Sequence, residues 1–60
     1  MKIGDMLVRA SNNKIRAVLT GFDEEGDLYV KIINGDGVLT EGEIFNDYAN
    51  CWKHAEAEQL

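Results

Sequence analysis

Three stretches of the chain, Met6–Ser11, Ile15–Asp23 and Leu28–Asn34, are rich in β-branched, aromatic and aliphatic residues, and turn-favouring residues separate each pair. They read as strands. Asn12-Asn13 can take the positive φ angles of a two-residue hairpin loop. Such a loop sets Ser11 opposite Lys14, Arg9 opposite Arg16, Val8 opposite Ala17 and Met6 opposite Leu19. A similar loop at Glu25-Gly26 sets Phe22 across from Tyr29, Thr20 across from Lys31, Leu19 across from Ile32 and Val18 across from Ile33. Asn34-Gly35-Asp36-Gly37 is a third turn signal, returning the chain into a short fourth strand at Val38-Leu39. The pattern is that of an antiparallel meander.

Alternation of side chains puts Met6, Val8, Ala10, Ile15, Ala17, Leu19, Leu28, Val30 and Ile32 on one face, which becomes the core. The other face is mixed: Leu7, Val18, Phe22, Tyr29 and Ile33 fall beside Arg9, Lys14, Arg16, Thr20 and Lys31. A one-sided antiparallel sheet shows polar residues on its wet face, so the mixture implies a sheet curled into a small barrel or a face covered by a partner. Beyond Leu39, Thr40 and Glu43 match a capping box, and Ile44, Tyr48, Cys51, Trp52 and Ala55 recur at spacings of three and four. A helix is expected from near Glu41, short and followed by a Trp-anchored closing segment at Cys51-Trp52-Lys53-His54. A continuous helix is the alternative. The expected fold is therefore mainly β: a small antiparallel barrel or meander of four to five strands with one short C-terminal helix, in a single domain spanning residues 1–60.

The opening Lys2-Ile3-Gly4-Asp5-Met6-Leu7-Val8, the central Gly26-Asp27-Leu28-Tyr29-Val30, and Ile44-Phe45 with Cys51-Trp52 resemble short SH3-like β-barrel proteins of bacteriophages and prophages. In those proteins a Gly-Asp pair leads into the first strand, a second glycine turn joins the middle strands, and a short helical turn precedes a late Trp. The resemblance implies an accessory or host-takeover protein, often an inhibitor of a bacterial enzyme or defence component. The opening also resembles the KOW element of transcription and ribosomal proteins, but Asn12-Asn13-Lys14 stands where that element's glycine-containing turn is expected.

Composition narrows the field. At 60 residues, with 45% hydrophobic and 28% charged positions, the chain is globular and has room for one core only. A core that small leaves about 3–5 kcal/mol of net stability, which makes a homodimer or other homo-oligomer an expectation. The net charge of −5 argues against attraction to a phosphate backbone. The acidity is concentrated late, where Glu41, Glu43, Asp47, Glu56 and Glu58 face only Lys53; an acidic surface there could imitate nucleic acid. The single Cys51 and the lack of an apolar leader-like run at the N-terminus read as a cytoplasmic protein, in a host cell if phage-encoded. No apolar run is long enough to span a membrane.

No constellation carries chemistry. Cys51 and His54 have half the spacing of a zinc site, but the chain holds no further Cys or His to complete it. As nucleophile and base the pair lacks an orienting group. Asp23, Glu24, Glu25 and Asp27 do not follow the ligand spacing of a calcium loop, and Gly35-Asp36-Gly37 lacks the frame of a dinucleotide fingerprint. No catalytic residue, metal or cofactor is expected. The Arg9–Arg16 pairing stands out, because like charges directly opposite on adjacent strands cost stability unless an anion sits between them.

Binding is thus the expected activity, with Arg9, Lys14, Arg16, Phe22, Tyr29 and Lys31 as candidate contacts. The leading partner is a host protein. The alternatives are a nucleotide, captured by Arg9, Lys14 and Arg16 at its phosphates, and a KOW-like nucleic-acid contact. Trp52, Tyr48 and Phe45 are expected in the core; Tyr48 or Phe22, if exposed, would anchor an interface.

Overall fold

A computed structural model of the protein describes residues 1–55. Its elements are β1 (Met6–Arg9), β2 (Asn12–Phe22), β3 (Leu28–Asn34), β4 (Ile44–Asp47), a 3₁₀ turn at Ala49–Cys51, and β5 (Trp52–His54). They form one antiparallel sheet in the order β4-β3-β2-β1-β5, so the last strand pairs with the first.

The first hairpin turns earlier than its asparagines suggest. Arg9 pairs with Asn12, leaving Ala10-Ser11 as the loop, and a bulge at Val8/Arg9 leads into Val8↔Arg16, Leu7↔Ala17 and Met6↔Val18. This shifts the expected register by one and so exchanges the faces of β1, although Val8, expected in the core, is fully buried all the same. Leu7 is fully buried, whereas Met6 and Ala10, expected in the core, are exposed. The physical gain lies with Arg9. The expected register set it against Arg16; the observed one carries it to the inner face, where it meets a carboxylate.

In the second hairpin Phe22 pairs with Leu28 and Gly21 with Tyr29. Then come Leu19↔Val30, Val18↔Lys31, Ala17↔Ile32 and Arg16↔Asn34, with bulges at Leu19/Gly21 and Arg16/Ala17. The expected two-residue loop is replaced by a longer one tied by Asp23, whose Oδ1 accepts the N–H groups of Glu25 and Asp27 at 2.9 Å each. The bulges preserve the alternation: Ile15, Ala17, Leu19, Leu28, Val30 and Ile32 are all buried.

The largest departure lies after β3. Val38-Leu39 is not a strand, because Asp36 Oδ1 takes the N–H groups of both residues at 3.0 Å. A Cβ on Gly35 would overlap the Leu39 carbonyl oxygen, so the loop folds tightly on itself. Nor does a helix start near Glu41. Half of the capping box exists, with Thr40 N–H donating to Glu43 Oε1 at 3.3 Å, but Gly42 has φ +85° and Glu43 N–H returns to the Thr40 carbonyl at 3.1 Å. That is a reverse turn with glycine in its left-handed position. It sends the chain into β4, which pairs Ile44↔Lys31, Phe45↔Val30, Asn46↔Tyr29 and Asp47↔Leu28. Both the short helix and the continuous one give way to β4 and the 3₁₀ turn. The Trp-anchored closing segment is present as β5, with Trp52 buried.

The core gathers Leu7, Ile15, Ala17, Leu19, Leu28, Val30, Ile32, Leu39 and Trp52, with Phe45, Ala49 and Cys51 packed against it. The sheet curls around this cluster, since Asp47 on β4 touches Arg9 on β1 and Trp52 on β5, strands from the opposite side of the sheet order. Among the described residues no helix is long and apolar enough to cross a membrane.

Candidate functional site

The curl gives the sheet an inner and an outer side with different chemistry. On the inner side Arg9 is held in a latch. Its Nη2 lies 3.3 Å from Asp47 Oδ2, the oxygen that also accepts the Trp52 indole N–H at 3.1 Å, and its guanidinium sits 5.5 Å from the Trp52 ring centre and 5.8 Å from that of Phe45. Aromatic faces attract the cation and the carboxylate neutralises it. Asp47, expected on the acidic surface, is thus largely enclosed, its side chain only 11% exposed.

The outer side follows from the register, because directly opposed residues share a face. One row across the strands reads Met6, Val18, Lys31, Ile44; the next reads Lys53, Val8, Arg16, Asn34. Tyr29 and Ile33 flank Lys31 along β3. Met6, Tyr29, Ile33 and Ile44 are exposed by 39%, 40%, 41% and 55%, and Arg16, Lys31 and Lys53 stand in the same rows, whose Val8 is fully buried. No strand position on this side carries a carboxylate. Apart from Asp47, every described Asp and Glu lies outside the strands, Glu41 and Glu43 included; Glu56 and Glu58 lie outside the described residues.

Of the candidate contacts, the structure brings Arg16, Lys31 and Tyr29 to the outer side. It sends Arg9 to the inner side, while Lys14, exposed and alternating with the buried Ile15, falls on the same side as Arg16, its backbone N–H donating to Asn12 Oδ1 at 3.1 Å. Phe22 is 46% exposed beside the acidic β2–β3 loop, and Tyr48, expected in the core, is 67% exposed before the 3₁₀ turn. Arg9 and Arg16 therefore do not converge on one phosphate, which removes the geometry behind the nucleotide reading. Met6 and Ile44 were missed as surface residues; the Thr40-Glu41-Gly42-Glu43 turn signal, weighed against the capping box, would have exposed Ile44.

Three carboxylates are held below their ordinary value by hydrogen bonds. The Lys2 backbone N–H leads for Asp5, the Asn46 amide for Asp23, and the Leu39 backbone N–H for Asp36. The imidazole of His54 meets Asp5 Oδ2 at 3.1 Å and makes no bond to Cys51, so the two are not arranged as a nucleophile and base. Among the described residues no group of three or more His, Cys, Asp and Glu could hold a metal ion.

Fold and surface together define a small antiparallel β protein, one side of whose sheet is apolar and cationic. No family model, curated protein or solved structure matches the chain.

Proposed function

We propose that the chain is a non-catalytic protein-binding module that docks its outer sheet side on an acidic, partly apolar surface of another protein. One observation carries this: a chain of net charge −5 keeps every described carboxylate off the strand positions of a side that exposes Met6, Tyr29, Ile33 and Ile44 around Lys31. Exposed apolar side chains grouped around cations suit a partner that covers them and supplies carboxylates. A second copy docking by the same side would set Lys31 and Arg16 against their own images, so the complementary surface belongs to a different protein. The charge of the whole chain weighs against nucleic acid as that partner.

The finer reading of the fold as an SH3-like barrel is supported by the return of β5 to pair with β1 and by the 3₁₀ turn immediately before it. In the form that resemblance implies, the chain is a phage accessory protein and its partner is a host protein, such as a defence component, inhibited by having its surface occupied.

The test is quantitative capture from bacterial lysate, followed by calorimetry on the partner identified. Lys31→Glu and Ile44→Asp are each expected to weaken binding by roughly tenfold or more. Undiminished binding by both, with folding intact, removes the outer side from consideration. Native mass spectrometry showing a retained nucleotide would redirect the reading to a small ligand.

A further inference from the structure

A cleft of about 430 Å³ opens on the inner side, between the β1–β2 turn and the β3–β4 loop, and its size falls within the range of ligand sites, roughly 300–1,000 Å³. Its apolar wall is Ile15, Leu39 and Phe45, with Val38 held at the rim, 84% exposed. The charges are Arg9, Asp36 and Glu43. Arg9 is ion-paired with Asp47 and its charge also reaches Asp36, so the cleft, with Asp36 and Glu43 beside its apolar wall, has more negative than positive groups around it.

Each carboxylate spends one oxygen on its own loop. Asp36 uses Oδ1 for the Val38 and Leu39 N–H groups, and Glu43 uses Oε1 for the Thr40 N–H. Asp36 Oδ2 and Glu43 Oε2 take no part in these three bonds. The Leu39 and Val38 N–H groups hold the Asp36 carboxyl below its ordinary value. An anionic ligand would meet two like charges and an arginine already engaged. A wholly apolar one would desolvate both carboxylates with nothing in return.

We propose that this cleft binds a lysine or arginine side chain of an extended peptide. The cationic head sits between Asp36 and Glu43, and the alkyl stem with an aliphatic neighbour lies on Ile15, Leu39, Phe45 and Val38. Long cationic side chains suit such a site because their stems are apolar and their heads are not. The site lies on the side of the sheet away from Lys31 and Ile44, so it stands or falls independently of the outer-side docking.

The probe is the peptide acetyl-Leu-Lys-Val-amide, titrated into the isotope-labelled chain and followed by amide shifts. Saturable shifts at Ile15, Val38, Leu39 and Phe45 are expected. The Glu-centred and Met-centred peptides are expected to bind at least roughly tenfold more weakly, since a hydrogen bond to a charged group is worth that factor or more. Asp36→Asn combined with Glu43→Gln keeps both structural acceptor oxygens and removes both charges. It should leave the fold intact and weaken the Lys peptide by a similar factor. The proposal is overturned if the Lys peptide shifts no cleft amide, if the Met or Glu peptide binds as well, or if the folded double variant binds undiminished. The peptide comparison on the unmodified chain decides the matter should the double variant not fold.

Discussion

The two sides of this sheet are made from the same strands, alternate residue by alternate residue, yet they obey different rules. Inward, Leu7, Ile15, Ala17, Leu19, Leu28, Val30 and Ile32 are all nearly or fully buried. Outward, Met6, Val18, Tyr29, Lys31, Ile33 and Ile44 mix apolar bulk with positive charge. The inner side is what a 60-residue chain needs to fold. The outer side is not explained by folding, because strand positions facing water gain nothing from exposed Met, Ile and Tyr. What packs inside holds the sheet, and the proposed docking rests on what stays outside.

Paired truncations should break this comparison if it is wrong. Leu28→Ala opens a cavity in the core and should cost about 2–5 kcal/mol, which is comparable to the about 3–5 kcal/mol a core of this size supplies. The variant is expected to be largely unfolded in buffer. Ile44→Ala, at a residue 55% exposed, should shift stability by no more than about 0.5 kcal/mol. Urea unfolding followed by the fluorescence of Trp52 measures both. Similar losses at the two sites would mean that Ile44 supports the fold and that the outer side is structural.

The inner side was legible in the sequence wherever alternation is long. β2 and β3 gave six correct inward positions because eleven and seven residues of strand overdetermine the period. β1 has four residues, too few to fix its register against a turn. Asn12-Asn13 offered a plausible loop, and only the inward partners of Arg9, distant in sequence, select Ala10-Ser11 instead. β4 was missed for a related reason. The apolar spacing from Ile44 to Ala55 fits helix period, but Gly42 in the left-handed region and the free edge of β3 outweigh it, and both are tertiary facts. Trp52 was legible as core because a chain with one Trp needs its bulk inside. The candidate site was half legible: Arg16, Tyr29 and Lys31 sit where the pattern put them, while Ile44 and the cleft depend on a loop whose shape Asp36 sets through two backbone N–H groups.

Arg9 sharpens the comparison, because it is a cation on the inner side. Its side chain is 23% exposed and it joins strands from the two ends of the sheet order. Arg9→Ala removes the ion pair with Asp47 and both ring contacts, leaving a mostly enclosed carboxylate with the Trp52 indole as its remaining side-chain donor. A loss of about 1–3 kcal/mol is expected. Trp52→Phe, which deletes the indole donor, should lose about 1 kcal/mol through that bond alone. Lys31→Ala on the outer side should fall within about 0.5 kcal/mol. Urea midpoints measure all three, and an Arg9→Ala effect no larger than that of Lys31→Ala would mean that the latch does not hold the curl closed.

Acid makes the smallest and most selective distinction, since the described carboxylates lie in loops or on the inner side and none on the outer strand positions. Asp5, Asp23 and Asp36 are held below their ordinary value by hydrogen bonds that exist only in the folded chain. A carboxylate depressed on folding contributes stability that is fully present above its unfolded pKa, about 3.9, and is lost as pH falls through the folded value. The melting temperature should therefore stay level from neutral pH to about pH 5 and decline below about pH 4. Asp36→Asn, which keeps the oxygen that accepts from Val38 and Leu39, should make that decline shallower with little change at neutral pH. A melting temperature that instead rises between pH 5 and 3 would mean that repulsion within a chain of net charge −5 outweighs these bonds. No described strand position of the outer side carries a carboxylate, so loss of partner binding in that window reports carboxylates on the partner, provided the chain remains folded.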